Sequence, residues 1–199
     1  MKKYIFENNT SITTILCKEI IDLFDREKYK NIGTTLGGIN KKIKDTTDFN
    51  IPKDETSQWF KIEKFLYKEL NKNLEEYIKT INSQNYQPDK NDDVDGTIFK
   101  NQTLMVYSFM IQKYERKKGK YTYHNDFAID KSNRKFRVIT FIWYLNTIEE
   151  GGETEFWDDH IIKPIAGKLV LFPASWTFQH RGRMPISDDK YIITGWFYI

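Results

Sequence analysis

The tripeptide His124-Asn125-Asp126 is the sharpest chemical feature of the sequence. On an extended strand, residues i and i+2 project to one face, so an imidazole and a carboxylate would converge there. With a second imidazole they make the two-histidine, one-carboxylate facial set. That set holds Fe(II) on one octahedral face and leaves the other positions open for substrate and O2. The chain has three histidines, so the second imidazole is His160 or His180. His160 follows Trp157-Asp158-Asp159 in a polar stretch that reads as a loop between strands. His180 follows the apolar run Leu169-Val170-Leu171-Phe172-Pro173. Lys190 then opens the last strand, where a cation can pair with the distal carboxylate of a chelating cosubstrate.

These residues need strands to position them. From Thr97 onward the sequence is rich in β-branched and aromatic residues. Strands are predicted over Leu104 to Tyr114, Lys120 to Phe127, Phe136 to Asn146, Lys168 to Phe172 and Tyr191 to Ile199. Turn signals separate them at Lys118-Gly119, Glu150-Gly151-Gly152, Ala166-Gly167 and Arg181-Gly182. Alternation puts Thr140, Ile142 and Tyr144 on one face, with Phe141, Trp143 and Leu145 on the other. Ahead of the strands, Ile12, Leu16, Ile20, Leu23 and Phe24 mark a helix over Ser11 to Lys28, with Thr10 or Ser11 as its N-cap. Trp59, Ile62, Leu66, Leu70, Leu74, Ile78 and Ile81 mark a longer one over about Ser57 to Ser83. Helices first and strands after give an α+β fold with helices covering an antiparallel sheet. Residues 1–199 form a single domain on this reading, 1–96 mainly helical support and 97–199 the core with the metal site. The polar stretch Gln84 to Gly96 reads as a loop and a candidate substrate lid.

Composition narrows the classes. Of the 199 residues, 39% are hydrophobic and 16% aromatic, enough for a core. The 31 basic and 28 acidic residues leave a net charge of +3, without the concentrated basic face of a dedicated nucleic-acid binder. Only six of the basic residues are Arg, so most Lys are background. Basic groups do cluster at Lys113, Arg116, Lys117, Lys118 and Lys120, and at Arg134, Lys135 and Arg137, where they can flank a pocket mouth. A single Cys, Cys17, excludes an internal disulfide and a Cys-based zinc cluster. No apolar run reaches the ~20 residues that span a bilayer. The opening Met1-Lys2-Lys3-Tyr4-Ile5-Phe6-Glu7-Asn8 lacks a secretory signal's apolar segment, which points to a cytoplasmic, reducing location.

His124-Asn125-Asp126, His180 and Lys190 together resemble the H-x-D…H…K pattern of the iron(II)/2-oxoglutarate-dependent dioxygenases, in their prolyl 4-hydroxylase-like branch. Tyr144-Leu145-Asn146 with Gly151-Gly152-Glu153-Thr154-Glu155-Phe156 is similar to that branch's "YLN…GGxTxF" segment. Pro164 to Phe172 and Gly195-Trp196 resemble its following strands. The resemblance covers about Met110 to the C-terminus. It implies a double-stranded β-helix (jelly-roll or cupin-like core) in which His124, Asp126 and His180 bind Fe(II) and His160 is a bystander. It also implies Lys190 on the far carboxylate of 2-oxoglutarate, with Tyr114, Tyr144 and Thr194 as further cosubstrate-binding candidates. The implied reaction hydroxylates an unactivated C–H, with a prolyl residue in a protein or peptide as leading substrate, and releases succinate and CO2. The resemblance admits ascorbate as an added cofactor. Alternatives are an oxygenase of the same core acting on a small molecule or nucleic acid, and a non-catalytic cupin-like binding module.

Overall fold

The computed structural model describes residues 2–85, 98–99, 102–130 and 134–199. In chain order the strands are β1 (Phe6–Asn8), β2 (Asn31–Ile32), β3 (Lys44–Asp45), β4 (Thr47–Asn50), β5 (Met105–Val106), β6 (Met110–Tyr114) and β7 (Lys120–His124). After these come β8 (Ile129–Asp130), β9 (Lys135–Tyr144), β10 (Thr154–Phe156), β11 (Ile161–Ile162), β12 (Leu169–Pro173), β13 (His180–Gly182) and β14 (Lys190–Tyr198). Two helices, α1 (Thr14–Arg26) and α2 (Phe60–Asn85), lie between early strands. A short 3-10 turn, Lys2–Tyr4, precedes β1.

Two antiparallel sheets form a double-stranded β-helix with supporting helices. The major sheet runs β1-β12-β9-β14-β6-β4-β2, with β5 on β14 and β8 on β9. The minor sheet runs β11-β10-β13-β7-β3. Strand alternation divides the core in two. Phe141, Trp143 and Leu145 of the β9 segment join Ile20, Phe24, Leu66 and Leu70 in a cluster between helices and major sheet. Ile142 and Tyr144 join Phe156, Phe172 and Phe178 in a second cluster between the sheets. The major sheet is therefore apolar on both faces, while the minor sheet carries charge on its outer side, where Arg181 bonds both oxygens of Glu155.

Leu70 is fully enclosed on α2. Leu70→Ala should cost about 2–5 kcal/mol by opening a cavity between helix and sheet. Urea unfolding measures this, with the midpoint falling and the slope unchanged.

Several local features depart from the sequence pattern. Ser11 and Thr10 do not cap α1. Thr13 does, its Oγ1 accepting from Leu16 N at 3.2 Å. Ser11 is instead buried, receiving Trp143 Nε1 at 3.0 Å and facing Glu69. Four short strands ahead of residue 97 enter the sheets. They are two to four residues long, too short for alternation to mark. Gly167 shows why its turn needs glycine. Its φ is +86°, and a Cβ there would stand 2.2 Å from the Ile12 carbonyl oxygen. The candidate lid Gln84 to Gly96 lies, from residue 86 on, outside the described residues. No helix among the described residues is long and apolar enough to cross a membrane.

Candidate metal centre

Pairing of β7 with β13 brings distant residues side by side. His124 is directly opposite His180 across the minor sheet. Their ring centroids lie 4.3 Å apart. Asp126 is reached differently from the strand alternation inferred above. Strand β7 ends at His124, and the chain turns, with Phe127 N–H bonding Asn125 Oδ1 at 3.2 Å. Asp126 then faces both rings, with Oδ1 3.7 Å from His124 Nε2 and Oδ2 3.6 Å from His180 Nε2. The three ligand atoms all lie within 4.8 Å of one another.

The imidazoles are oriented for coordination. His124 Nδ1 contacts the Thr122 carbonyl at 2.8 Å, and His180 Nδ1 the Phe178 carbonyl at 3.0 Å. A carbonyl can only accept, so each Nδ1 carries a proton and Nε2 is the nitrogen turned toward the centre. Burial, reinforced by the adjacent His180 ring, pushes His124 down to about 4, so it is neutral at pH 7. Burial alone would raise the Asp126 carboxyl. The two imidazoles and the Thr140 hydroxyl, donating to Oδ2 at 2.8 Å, outweigh it and hold the group below its ordinary range. Two imidazole nitrogens and one carboxylate oxygen on one side of a cavity fit Fe(II), with room left for further ligands. His160 stands apart, 3.8 Å from Glu7 Oε1.

The cluster opens into a cavity of about 560 Å3 between the sheets. Lys190 projects into it and is only 1% exposed. It pairs in register with Tyr114 across β14 and β6. Its Nζ donates to the Gly152 carbonyl at 2.8 Å and sits 4.0 Å from the centre of the Tyr114 ring. No carboxylate among the described residues is paired with it. Burial pushes Lys190 down to about 7, against a smaller upward pull from Glu153. Tyr114 lines the cavity and donates to Gln112 Oε1 at 3.2 Å. Thr194 also lines it, with its hydroxyl donating to the Phe141 carbonyl at 2.9 Å. Tyr144 does not line it. Fully buried, Tyr144 donates to Thr154 Oγ1 at 2.6 Å, and Thr154 is the residue that reaches the cavity.

The basic turns separate on inspection. Lys113 pairs with Asp189 at 2.8 Å and Lys118 with Glu115, so that cluster is largely satisfied. Arg137 is different. It lines the cavity, its guanidinium 3.6 Å from the Trp196 ring centre and its Nε donating to Tyr198 OH at 3.2 Å. Lys44, Tyr121 and Gln112 also line the cavity and went unnoticed in the sequence. Strand alternation would put Tyr121 and His124 on opposite faces.

A two-histidine face with a carboxylate, beside a buried lysine in a β-helix, fits the ligand set of a metal-dependent oxygenase. Residues 109–198 match the sequence profile of the 2OG-Fe(II) oxygenase superfamily. That stretch holds the cluster and Lys190, and the match supports a 2-oxoglutarate-dependent dioxygenase that uses Fe(II) and 2-oxoglutarate. No curated protein sequence matches the chain. Among solved structures, a prolyl hydroxylase from Trichoplax adhaerens bound to a hypoxia inducible factor oxygen degradation domain peptide fragment is similar. It has a TM-score of 0.69 at 18% identity, covering 98% of this chain and 84% of that one. A Pseudomonas putida prolyl-4-hydroxylase gives 0.67 at 16%, covering 98% and 92%. The viral collagen prolyl hydroxylase of Paramecium Bursaria Chlorella virus-1, in complex with 2OG, gives 0.64 at 17%, covering 98% and 96%. These likenesses are likenesses of fold, a double-stranded β-helix with supporting helices.

Proposed function

We propose that His124, Asp126 and His180 hold Fe(II), that Lys190 binds the distal carboxylate of 2-oxoglutarate, and that the enzyme hydroxylates a prolyl residue in a protein or peptide. The observation that carries this reading is the His-Asp-His face opening into the same cavity as a buried ammonium with no carboxylate partner among the described residues. Fe(II) and 2-oxoglutarate, when bound, supply the oxidising chemistry, consuming O2 and releasing succinate and CO2.

The chain's residues do the rest. The Thr122 and Phe178 carbonyls fix both tautomers, and Thr140 fixes the Asp126 carboxylate. Lys190, with Tyr114 against it, offers a preformed cationic end that a dianionic acid can occupy. Thr194 lies on the same strand and can re-aim its hydroxyl toward that acid. Ile142, Ile192 and Thr154 line the same cavity. Arg137 on Trp196 offers donors to a backbone carbonyl while the indole gives a flat apolar surface. That pairing suits a peptide and a five-membered apolar ring better than a free nucleotide. The similar Trichoplax adhaerens enzyme is described in complex with a peptide, which supports the same class.

Succinate release should be stimulated by proline-containing peptides and not by nucleotides or free amino acids, with the peptide gaining 16 Da at proline in about equal yield. Stimulation by a nucleotide or small molecule instead would transfer the site to a different substrate class. Stoichiometric iron without any 2-oxoglutarate consumption would indicate a binding module.

A further inference from the structure

We infer that Tyr121 is a positioning residue for His124, held in turn by Lys44, so that the strand leading from the cavity rim helps set the metal face. This rests on the reading of His124 as an iron ligand.

His124 is the most exposed of the three ligands, its side chain 15% accessible against 9% for Asp126 and 5% for His180. His180 is enclosed by Phe156 and Phe172, at 5.6 and 4.9 Å between ring centres. His124 lacks such a surround. One hydrogen bond to Thr122 fixes its tautomer but leaves the ring free to tilt about that bond. Tyr121 supplies the missing restraint. It stacks on the imidazole with centroids 3.5 Å apart and planes within 14°.

A residue three positions before His124 reaches the same face only because β7 is irregular. His180 pairs with His124 while Gly182 pairs with Tyr121, so β7 spends three steps where β13 spends two. That extra residue is a bulge, a device that re-aims a side chain next to a site.

Tyr121 is itself anchored from β3. Lys44 is its cross-strand partner, with Nζ 5.5 Å from the ring centre. The ammonium is fixed by Asp48 Oδ2 at 2.7 Å and the Thr34 carbonyl at 3.3 Å, and Thr46 holds the other Asp48 oxygen at 2.7 Å. The ion pair is almost fully buried. Such pairs contribute little net stability, so a geometric role better accounts for this one. Thr34 also begins the rim segment that lines the cavity through Gly37. A connected path therefore runs from rim to Lys44, Tyr121 and His124.

The test uses the metal-free protein first. The stacked Tyr121 ring should shift the His124 ring protons upfield in NMR spectra. Tyr121→Leu should abolish that shift, leave His180 resonances in place, and weaken Fe(II) binding about 10–100-fold, the usual effect of losing a ligand's support. Tyr121→Phe should retain both shift and affinity, because the ring stays. Lys44→Met should move both in the direction of Tyr121→Leu, and it stands in if Tyr121→Leu does not fold. The proposal is overturned if Tyr121→Leu binds Fe(II) as tightly as wild type, or if Tyr121→Phe loses as much. If wild type binds no Fe(II), the ligand reading and any metal role of Tyr121 both fail, while the ring shift would still report the stacking. None of these readouts involves substrate, so a role of Tyr121 in binding peptide would not move them.

Discussion

Asp126→Ala is expected to abolish iron retention and lower 2-oxoglutarate turnover at least about a thousandfold, which corresponds to about 4 kcal/mol. Asp126 is the only anion of the cluster and the only one of the three whose ligand atoms face both imidazoles. Removing it takes away the charge that offsets a divalent ion and breaks the facial set. The fold should survive. His124 is neutral at pH 7, so the imidazoles left behind need not repel as two cations. In the metal-free protein the depressed Asp126 pKa means its contribution to stability exists above the unfolded value and is lost as pH falls through the folded one. The wild-type protein should therefore lose stability in acid in a way Asp126→Ala does not. Iron content after gel filtration and melting curves at pH 7 and pH 4 check the two parts separately.

Lys190→Met is expected to weaken 2-oxoglutarate binding by about 2–5 kcal/mol, the cost of removing one partner of a buried charge pair. The same change should raise the melting temperature of the ligand-free protein. Lys190 is buried at the start of β14 against a tyrosine ring and one carbonyl. Its folded pKa of about 7 lies below the ordinary 10.5, so between those values the unfolded chain binds more protons than the folded one. Stability of the free protein thus rises with pH across that window, and Lys190→Met gains most at pH 7 and below. Binding has the opposite sign. A carboxylate beside the ammonium raises its pKa, so binding takes up a proton above pH 7. Wild-type affinity should then fall about tenfold per pH unit from about 7 upward, while that of Lys190→Met is flat. Calorimetry in two buffers of different ionisation enthalpy measures the proton uptake directly.

The site was more legible than its scaffold, for physical reasons. His124, Asp126 and His180 were visible because few residue types bind metal and the chain has three histidines. The structure brings those three together and leaves His160 elsewhere. The long strands β9 and β14 were visible because they are runs of nine or more residues rich in β-branched and aromatic side chains. Strands β1 to β4, β10, β11 and β13 were not, since two to four residues carry no period. The β7 bulge was invisible for a deeper reason. Alternation assumes two residues per repeat, and an inserted residue reverses every inference beyond it. Tyr121 was lost in this way. Tyr144 shows the converse. Its face was assigned correctly, but its hydroxyl is spent on Thr154, so the group nearer the cavity is the threonine from the Gly-Gly-Glu-Thr motif.

The most direct test is an anaerobic titration of the metal-free protein with Fe(II) and then 2-oxoglutarate, followed by admission of O2. Each ligand should bind at one equivalent, a charge-transfer absorption should appear only when both are present, and O2 should yield succinate. His124→Ala and His180→Ala should show none of these. Binding of 2-oxoglutarate without iron dependence, or succinate formation that survives loss of either histidine, would contradict the assignment of the centre.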